Sequence, residues 1–414
     1  GSFQAYPDTE ARGWGQYTWT TNFRRNHLLE FYANFNKEWG IHRLDVMAGY
    51  SWQHFYSSDH TVTYFNETHE QKGEDSRYPS NRQESYLLSF YGRINYSIDS
   101  RYLFTFTLRD DASSRFSKDT RWGLFPSAAF AWNIAQEEVL RDVRAVSALK
   151  LRLGAGQTGQ QEIFQNYPYL ARYSMSTDVY KQYNMGSAGY SFYLTPAAYD
   201  PDIKWETTTT YNVGLDFGFL DGRINGSGGW DLRQADDLLN NVITPMGSNF
   251  GNTVLTNIGS MENRGVEFNL NLIPVQTKDW NLTIGLNGTF QKTEYTKLNN
   301  TDDPTYSIQT GGISKGTGNL LQRHMVGYSP YTFYCFQQVY DENGHPIQNA
   351  LVDRDKDGKT TQAARYMTDK SPNPDFFYGI SLKLSDKNWD FGFNGHRPGA
   401  HRGFNAFASA NSTS

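Results

Sequence analysis

Residues 108–132 read LRDDASSRFSKDTRWGLFPSAAFAW, and this stretch lies between two segments in which apolar residues alternate with small or polar ones. The segment RYLFTFTL, residues 101–108, leads into it, and SAAFAWNI, residues 127–134, leaves it. Between these segments, seven charged residues fall within residues 109–121. Alternation with a period of two predicts β-strands, because successive side chains of a strand point to opposite faces. The stretch therefore predicts two antiparallel strands joined by a charged connection.

The same alternation recurs along the chain and predicts an all-β protein. In residues 279–294, Leu282 and Ile284 share one face of the predicted strand, whereas Asn281 and Thr283 share the other. Twelve strands are predicted in this way, at residues 28–37, 42–57, 85–97, 101–110, 122–134, 147–156, 206–219, 223–236, 264–274, 279–294, 376–385 and 388–396.

Short and long connections alternate along this series of strands. The short ones are predicted at residues 38–41, 98–100, 220–222, 275–278 and 386–387, and the long ones at 58–84, 111–121, 157–205, 237–263 and 295–375. Residues 135–146 are intermediate in length and predict a small helix where a short turn is due. In an up-and-down meander, this alternation places all long connections at one end. Transmembrane barrels of outer membranes have that layout, with short periplasmic turns and long extracellular loops.

The composition is compatible with such a barrel. The chain has 414 residues and 16% aromatic residues, yet its mean hydropathy is −0.68. A spanning strand exposes only every second residue to lipid, which explains a polar average with many aromatic residues. A soluble antiparallel sheet with one hydrated face alternates in the same way, so a soluble or surface carbohydrate-binding β protein is the alternative. The net charge of −5, without a basic block, makes nucleic acid a poor partner.

No enzyme is predicted. Gly154, Gly156 and Gly159 match the dinucleotide pattern GxGxxG, but the residues that follow have no helical face to bind a pyrophosphate. Adjacent carboxylates such as Asp110 and Asp111 point to opposite faces of a strand and form a poor acid–base pair. The glycine-rich stretch therefore predicts a strand that passes into a loop.

The loop at residues 157–205 carries the candidate ligand-binding residues. Aromatic rings in a polar loop offer stacking surfaces for sugar rings or for a protein partner. The candidates are Tyr167, Tyr169, Tyr173, Tyr180, Tyr183 and Tyr190. The alternative is a loop that folds on its own aromatic residues.

The segment DRDKDGKTT, residues 353–361, resembles the first half of an EF-hand loop. Asp353, Asp355 and Asp357 occupy the alternating positions that ligate calcium, and Gly358 stands at the sixth position. The twelfth position is Ala364 instead of a bidentate Glu, and no helices are predicted beside the segment. A calcium ion in this extracellular loop and a solvated acidic turn are both compatible with the pattern, and no cofactor is required.

Several quoted segments resemble the SusC/RagA family of TonB-linked outer-membrane transporters. The opening stretch does so together with LKLRLGAGQTGQQEI (149–163), YNVGLDFGFLDGRINGSGGWDLRQADDLL (211–239), NIGSMENRGVEFNLNL (257–272), VDRDKDGKTT (352–361) and SPNPDFFYGISLKLSDKNWDF (371–391). The resemblance extends over most of residues 15–395 and keeps the same order along the chain.

This resemblance implies part of a plugged 22-stranded barrel in the bacterial outer membrane. It also implies energy-coupled import of oligosaccharides or peptides through the TonB complex, with a SusD-like lipoprotein over the extracellular loops. Residues 1–396 are expected to form a partial barrel of about twelve strands, and residues 397–414 an irregular tail. Neither a plug domain nor a signal peptide is recognisable, so the chain is expected to be the C-terminal part of the barrel.

In this barrel, the opening stretch becomes the outer end of one hairpin. Its charges then need no catalytic role, because a barrel rim meets water and lipid headgroups. Arg109, Asp111, Arg115 and Asp119 are expected to pair and to lock the turn.

Overall fold

A computed structural model describes the chain as one long antiparallel sheet with smaller sheets in its loops. The described residues are 2–4, 16–64, 81–141, 143–163, 166–175, 183–184, 190–191, 194–244, 253–299, 303, 305–312 and 320–399. The main sheet has 13 strands, and each is paired with its neighbours in chain order. This is the up-and-down meander that the alternating connections predict.

The twelve predicted strands are all present, and a short N-terminal strand precedes them. The strands are β1 (Ser2–Gln4), β2 (Gln16–Trp39), β3 (His42–Tyr64), β4 (Asn81–Ile98), β5 (Tyr102–Ser113), β6 (Trp122–Asn133), β7 (Val146–Gln160), β8 (Glu206–Phe219), β9 (Ile224–Ile243), β10 (Thr253–Gln276), β11 (Trp280–Lys297), β12 (Phe376–Asp386) and β13 (Trp389–Gly399). The last strand includes residues 397–399, which were predicted as tail, whereas residues 400–414 lie outside the described part.

The register of the sheet separates an apolar face from a polar one. In the β10–β11 pair, Leu270 lies opposite Leu286 on one face, and Asn269 lies opposite Asn287 on the other. The apolar face is uncovered, as shown by Phe106, which is 53% exposed. A soluble sheet would bury such a face against a second layer. The exposed apolar face is therefore the lipid-facing side of a membrane barrel, and the polar face is its lumen side.

Aromatic residues mark both edges of the lipid-facing side. Trp39 and Trp132 lie near the short turns, whereas Phe90 and Trp122 lie near the long loops. Aromatic girdles at two interfaces, with an apolar band between them, are characteristic of transmembrane barrels.

At the end that carries the long loops, the strands continue beyond their predicted ends. Strand β2 begins at Gln16 instead of residue 28, and β9 ends at Ile243 instead of residue 236. The extensions mix polar and apolar residues, as in QYTWTTNFRRNH at residues 16–27 and DLLNNVI at residues 237–243. Their backbones are still paired, because ladder hydrogen bonds do not depend on hydrophobicity. The paired sheet therefore extends further at this end than the strands predicted from alternation.

At the opposite end, the turns are tight. Asp99 and Ser100 have φ values of 51° and 52°, which suit a two-residue hairpin turn. The connection predicted at residues 135–146 as a small helix contains a 3₁₀ turn at Ile134–Gln136 and a short helix, α1, at Glu138–Arg141.

Small sheets lie within the two longest loops. Their strands are Tyr173–Met175 with Leu194–Pro196, Tyr183–Asn184 with Tyr190–Ser191, the group Ser307–Gly312, Leu320–Met325, Thr332–Cys335 and Tyr366–Met367, and the pair Gln338–Tyr340 and Pro346–Leu351. A further 3₁₀ turn spans Gln362–Ala364. Among the described residues, no helix has both the length and the apolar character needed to cross a bilayer.

Candidate functional site: the long-loop end and the lumen wall below it

The opening stretch lies at the long-loop end of β5 and β6, where one ion pair faces the lumen. The Nε atom of Arg109 donates to both carboxylate oxygens of Asp111 at 2.8 Å. Another guanidinium nitrogen donates to the Ser89 hydroxyl at 2.9 Å, and the Arg109 guanidinium lies 5.6 Å from the centre of the Tyr91 ring. Asp111 is only 8% exposed. The ion pair is therefore partly buried, and it holds both side chains against the lumen wall at the rim.

The other two predicted rim residues do not join this pair. Arg115 donates to the backbone carbonyl of Gln161 at 3.0 Å, and Asp119 lies exposed in the turn. Hydroxyl groups hold the turn instead: Ser114 accepts the backbone N–H of Tyr86 at 2.9 Å. The expected four-charge lock thus consists of one ion pair, one bridge to a neighbouring loop and one solvated carboxylate. Serine side chains carry little sequence signal for this role.

Behind the turn lies a buried hydrophobic cluster. Phe116, Phe125, Ile203 and Trp205 are each at most 6% exposed. Two of them belong to the loop at residues 161–205 that follows β7, so the cluster joins that loop to the hairpin. Hydrogen bonds fasten the same contact, because the Trp205 indole donates to the Arg121 carbonyl at 2.9 Å. Sequence reasoning missed this cluster, since Phe116, Ile203 and Trp205 lie in connections between the predicted strands.

The six candidate tyrosines fall into different environments. Tyr169 is half-buried and packs against the hydrophobic cluster, and Tyr167 contacts it edge-on with 6.3 Å between ring centres. Tyr173 is 66% exposed, as a stacking residue requires. Tyr183 and Tyr190 lie in the small two-stranded sheet, and Tyr180 lies outside the described residues. Part of the loop therefore folds on its own aromatic residues, and Tyr173 is a candidate for ligand contact.

The lumen wall below the rim is lined by small residues. A depression of about 650 Å³ includes Ser127, Ala129, Gly154 and Gly156. A Cβ atom on Gly156 would lie 2.6 Å from the Cβ of Ser127, so no larger residue fits at this register. The GxGxxG pattern thus lies wholly within β7 and allows close packing of the wall. The prediction of a strand that passes into a loop was right for the strand, but the strand continues to Gln160.

Further along the lumen face, charged side chains pair both across strands and within a strand. Arg152 donates to Asp216 through two nitrogen atoms, at 2.9 and 2.8 Å. Arg233 lies 3.1 Å from Asp231 on the same face. This face is therefore a polar surface with balanced charge, which suits a water-filled passage and not a hydrophobic core.

The acidic segment forms a compact turn. Oxygen atoms of Asp353, Asp355 and Asp357 lie within 4.8 Å of one another. The carboxylate of Asp353 accepts the backbone N–H groups of Lys356 and Gly358, both at 2.8 Å. The bond from Gly358 lowers the pKa of Asp353, whereas burial and the hydrogen bond with Asp353 raise the pKa of Asp355.

These contacts fit a calcium ion only in part. Gly358 has a φ of 79°, as the sharp turn of an EF-hand loop requires. The twelfth position, Ala364, is fully buried and supplies no ligand. Calcium binding here stays a prediction.

A second compact part of the long-loop end was not predicted. In the loop between β11 and β12, the Tyr334 ring has the guanidinium of Arg323 at 3.7 Å and that of Arg365 at 4.6 Å from its centre. Burial lowers the pKa of Arg365. It also lowers the pKa of His324, which follows Arg323 on the strand Leu320–Met325. Rings and cations this close stabilise one another electrostatically and keep the loop compact. Only tertiary structure brings these residues together.

Comparison with known proteins agrees with this architecture. The family model of the TonB dependent receptor-like β-barrel matches residues 2–396. The chain belongs to this family. Its lipid-facing strands are accordingly strands of the bacterial outer membrane, and the homologues are receptors and transporters rather than enzymes.

Two curated relatives are similar over nearly the whole chain. The TonB-dependent receptor SusC of Bacteroides thetaiotaomicron is 43% identical over 380 residues, which cover 90% of this chain and 37% of SusC. The TonB-dependent receptor P3 of Formosa agariphila is 31% identical over 405 residues, which cover 91% of this chain and 39% of P3. The chain therefore spans well under half the length of these relatives. The identity with SusC confirms the predicted membership of the SusC/RagA family.

A solved structure shows the same fold. The structure of the RagAB peptide transporter superposes with a TM-score of 0.73 at 23% identity, over 92% of this chain and 42% of that chain. This likeness supports the antiparallel barrel wall.

Proposed function

We propose that this chain forms a wall and an extracellular loop region of a TonB-coupled importer, which takes up oligosaccharides or peptides across the outer membrane. The observation that carries the proposal is 43% identity with SusC over 90% of the chain. The sidedness of the sheet supports it, since an apolar face toward lipid and a polar face toward the lumen are what a solute-conducting barrel needs.

Substrate entry is assigned to the long-loop end. Tyr173 offers an exposed ring there, and the depression beside Gly154 and Gly156 lies on the lumen wall just below. The loops are anchored through the cluster around Trp205, so they present a firm surface instead of a loose one. A SusD-like surface lipoprotein is the proposed partner at this end, and the TonB complex acts through a plug domain of the complete transporter.

The test is uptake by cells. A strain without its own copy of the gene receives the complete gene that encodes this chain and is offered fluorescent oligosaccharide and peptide panels. We expect saturable uptake of one panel, loss of that uptake when an uncoupler collapses the proton gradient, and co-purification of a surface lipoprotein. Uptake that persists with the uncoupler would refute energy coupling. Binding of a sugar without any uptake would instead favour the carbohydrate-binding alternative.

A further inference from the structure

A group of cations faces outward on β2–β4, just beyond the apolar band. On this face of the sheet, Leu29 lies opposite Trp52, the next outward pair is His27 with His54, and the one after it is Arg25 with Tyr56. The outward face thus changes from apolar to basic within four residues of β2. A change of this kind marks the boundary between hydrocarbon and headgroups.

The depth of this boundary agrees with the dimensions of a membrane. Fourteen residues separate Arg25 from Trp39, the aromatic residue near the short turns. At about 3.3 Å per residue and a tilt of about 45°, this distance corresponds to about 33 Å along the membrane normal. The hydrocarbon core is about 30 Å thick, so Arg25 lies at the level of the outer headgroups.

Two arginines meet on one ring at this level. The guanidinium carbons of Arg25 and Arg82 lie 5.6 and 5.4 Å from the centre of the Tyr56 ring. Such a distance suits a cation–π contact, which holds a guanidinium in place without using its N–H donors. Both groups therefore keep their donors available to a ligand.

This pair of arginines has a single nearby carboxylate among the described residues, and that carboxylate is shared. Among the described residues, Arg25 has no acidic partner, and Arg82 only approaches Glu84 at 3.9 Å. The same Glu84 carboxylate already accepts hydrogen bonds from His54 at 2.7 Å and from Tyr86 at 2.8 Å. Arg82 remains 63% exposed at its side chain.

A second basic pair on the lipid-facing side differs from Arg25 and Arg82 in its acidic partners. Arg264 and Lys292 lie opposite each other on β10 and β11, two residues beyond the apolar pair Val266 and Phe290. Each has its own carboxylate, since Arg264 pairs with Glu262, and Lys292 lies 2.7 Å from Glu294. These cations each have a carboxylate of their own, whereas the two on Tyr56 have between them only Glu84, which lies 3.9 Å from Arg82 and is shared with His54 and Tyr86.

We propose that Arg25 and Arg82, held on the Tyr56 ring, bind a phosphate group in the headgroup of an outer-leaflet lipid. The arginine fork matches the geometry of phosphate oxygens, and a guanidinium loses less hydration than an ammonium ion on binding. Continuity with the lipid-facing band presents the site to lipid and not to the lumen, where the imported solute passes.

The experiment compares lipid binding by matched variants of the protein purified from outer membranes in detergent. Lipid A with its phosphate groups is titrated and followed by native mass spectrometry, beside phosphatase-treated lipid A and inorganic phosphate. We expect R25Q/R82Q to weaken binding of the phosphorylated lipid at least tenfold, and the control R264Q/K292Q to change it less than twofold. Wild-type protein is expected to bind the dephosphorylated lipid about as weakly as R25Q/R82Q binds the phosphorylated one.

Three results would overturn the site. They are an unchanged affinity in R25Q/R82Q, an equal loss in the control, and equal affinity for lipid A with and without phosphate. Binding of inorganic phosphate as tight as that of the lipid would show a soluble anion site and refute the lipid assignment. Heat-modifiable migration in gels checks that each variant is folded. If the double variant fails to fold, the single variant R82Q is expected to weaken binding about threefold.

Discussion

The two ends of this sheet are stabilised in different ways. At the short-turn end, hydrogen bonds to one carboxylate hold the connection between β6 and β7 in place. Glu137 accepts hydrogen bonds from Tyr102 at 2.7 Å, Trp132 at 2.9 Å and Arg101 at 3.2 Å. At the long-loop end, Phe116, Ile203 and their neighbours form a buried cluster of their own.

The difference follows from loop length. A turn of a few residues has its conformation imposed by the strands, so a few directional polar contacts suffice to orient it. A loop of more than forty residues, such as 161–205, loses much conformational entropy when it becomes ordered, and only burial of apolar surface offsets that loss. Four experiments test this difference between the two ends of the sheet.

The largest effect is expected from Trp205→Ala. Trp205 is 5% exposed, and truncation of a buried aromatic residue costs about 3–5 kcal/mol. The loss also leaves the Arg121 carbonyl without its indole donor. We expect faster hydrogen exchange and new protease sites within residues 114–121 and 194–205, with unchanged protection in the membrane strands. Trp389→Ala is the control, because Trp389 is 80% exposed. Equal destabilisation by both variants would contradict a separate loop core.

The second prediction concerns a glycine that touches this core. A Cβ atom on Gly159 would lie 2.0 Å from the Phe125 ring, whereas one on Gly228 would meet nothing within 4 Å. We expect Gly159→Ala to lower stability at the long-loop end by about 1–3 kcal/mol through overpacking. Gly228→Ala is expected to be nearly neutral. Hydrogen exchange of β6 and β7 measures the difference, and equal behaviour of the two variants would contradict the packing at Phe125.

At the short-turn end, we predict a pH-dependent effect. Hydrogen bonds from Tyr102 and Trp132, in that order, lower the pKa of Glu137 below its ordinary value of 4.5. A carboxylate with a lowered folded-state pKa contributes stability above its unfolded-state pKa, and this contribution is lost as the pH falls through the folded-state pKa. Protection of residues 134–141 is therefore expected to fall below about pH 4.5 in the wild type. Glu137→Gln is expected to show lower protection at pH 7 and a flatter pH profile; a parallel profile would contradict the role of the charge.

The smallest effect is expected from calcium. Without a ligand at the twelfth position, we expect the acidic segment at residues 353–358 to bind calcium with a dissociation constant of about 0.1–1 mM. Terbium luminescence displaced by calcium measures this affinity, and Asp355→Asn is expected to abolish the signal. Asp369→Asn serves as a control outside the segment. No calcium-dependent change up to about 10 mM would contradict the calcium prediction and leave a solvated turn.

The positions of the strands were largely predictable because lipid contact imposes a period of two. Residues 279–294 illustrate this, since β11 begins at Trp280 and its apolar residues share the lipid-facing side. The outer extensions of β2, β9 and β10 were not predictable in the same way. The extensions of β9 and β10 lack the regular alternation of the membrane strands, as DLLNNVI at residues 237–243 shows, so the sequence did not distinguish their paired backbones from a loop.

The candidate site shows the same limit. Arg109 and Asp111 lie two residues apart on one strand face, so their pairing follows from the pattern of a strand. Arg115 lies 46 positions before its partner Gln161, and Trp205 lies 84 positions after Arg121. Contacts over such separations depend on how the loops return to the sheet.

The alternation of strands and turns, the polarity of the two faces and the family of the chain could all be inferred from the amino-acid sequence. These features are local, because the alternation of apolar and polar residues within each strand indicates which of its side chains face lipid. The three-dimensional structure was needed to show which loop residues form the cluster around Trp205, which predicted charges pair, and that Arg25 and Arg82 contact the Tyr56 ring. Those arrangements depend on register between distant strands, and register arises from the sum of many pairings that no single segment encodes.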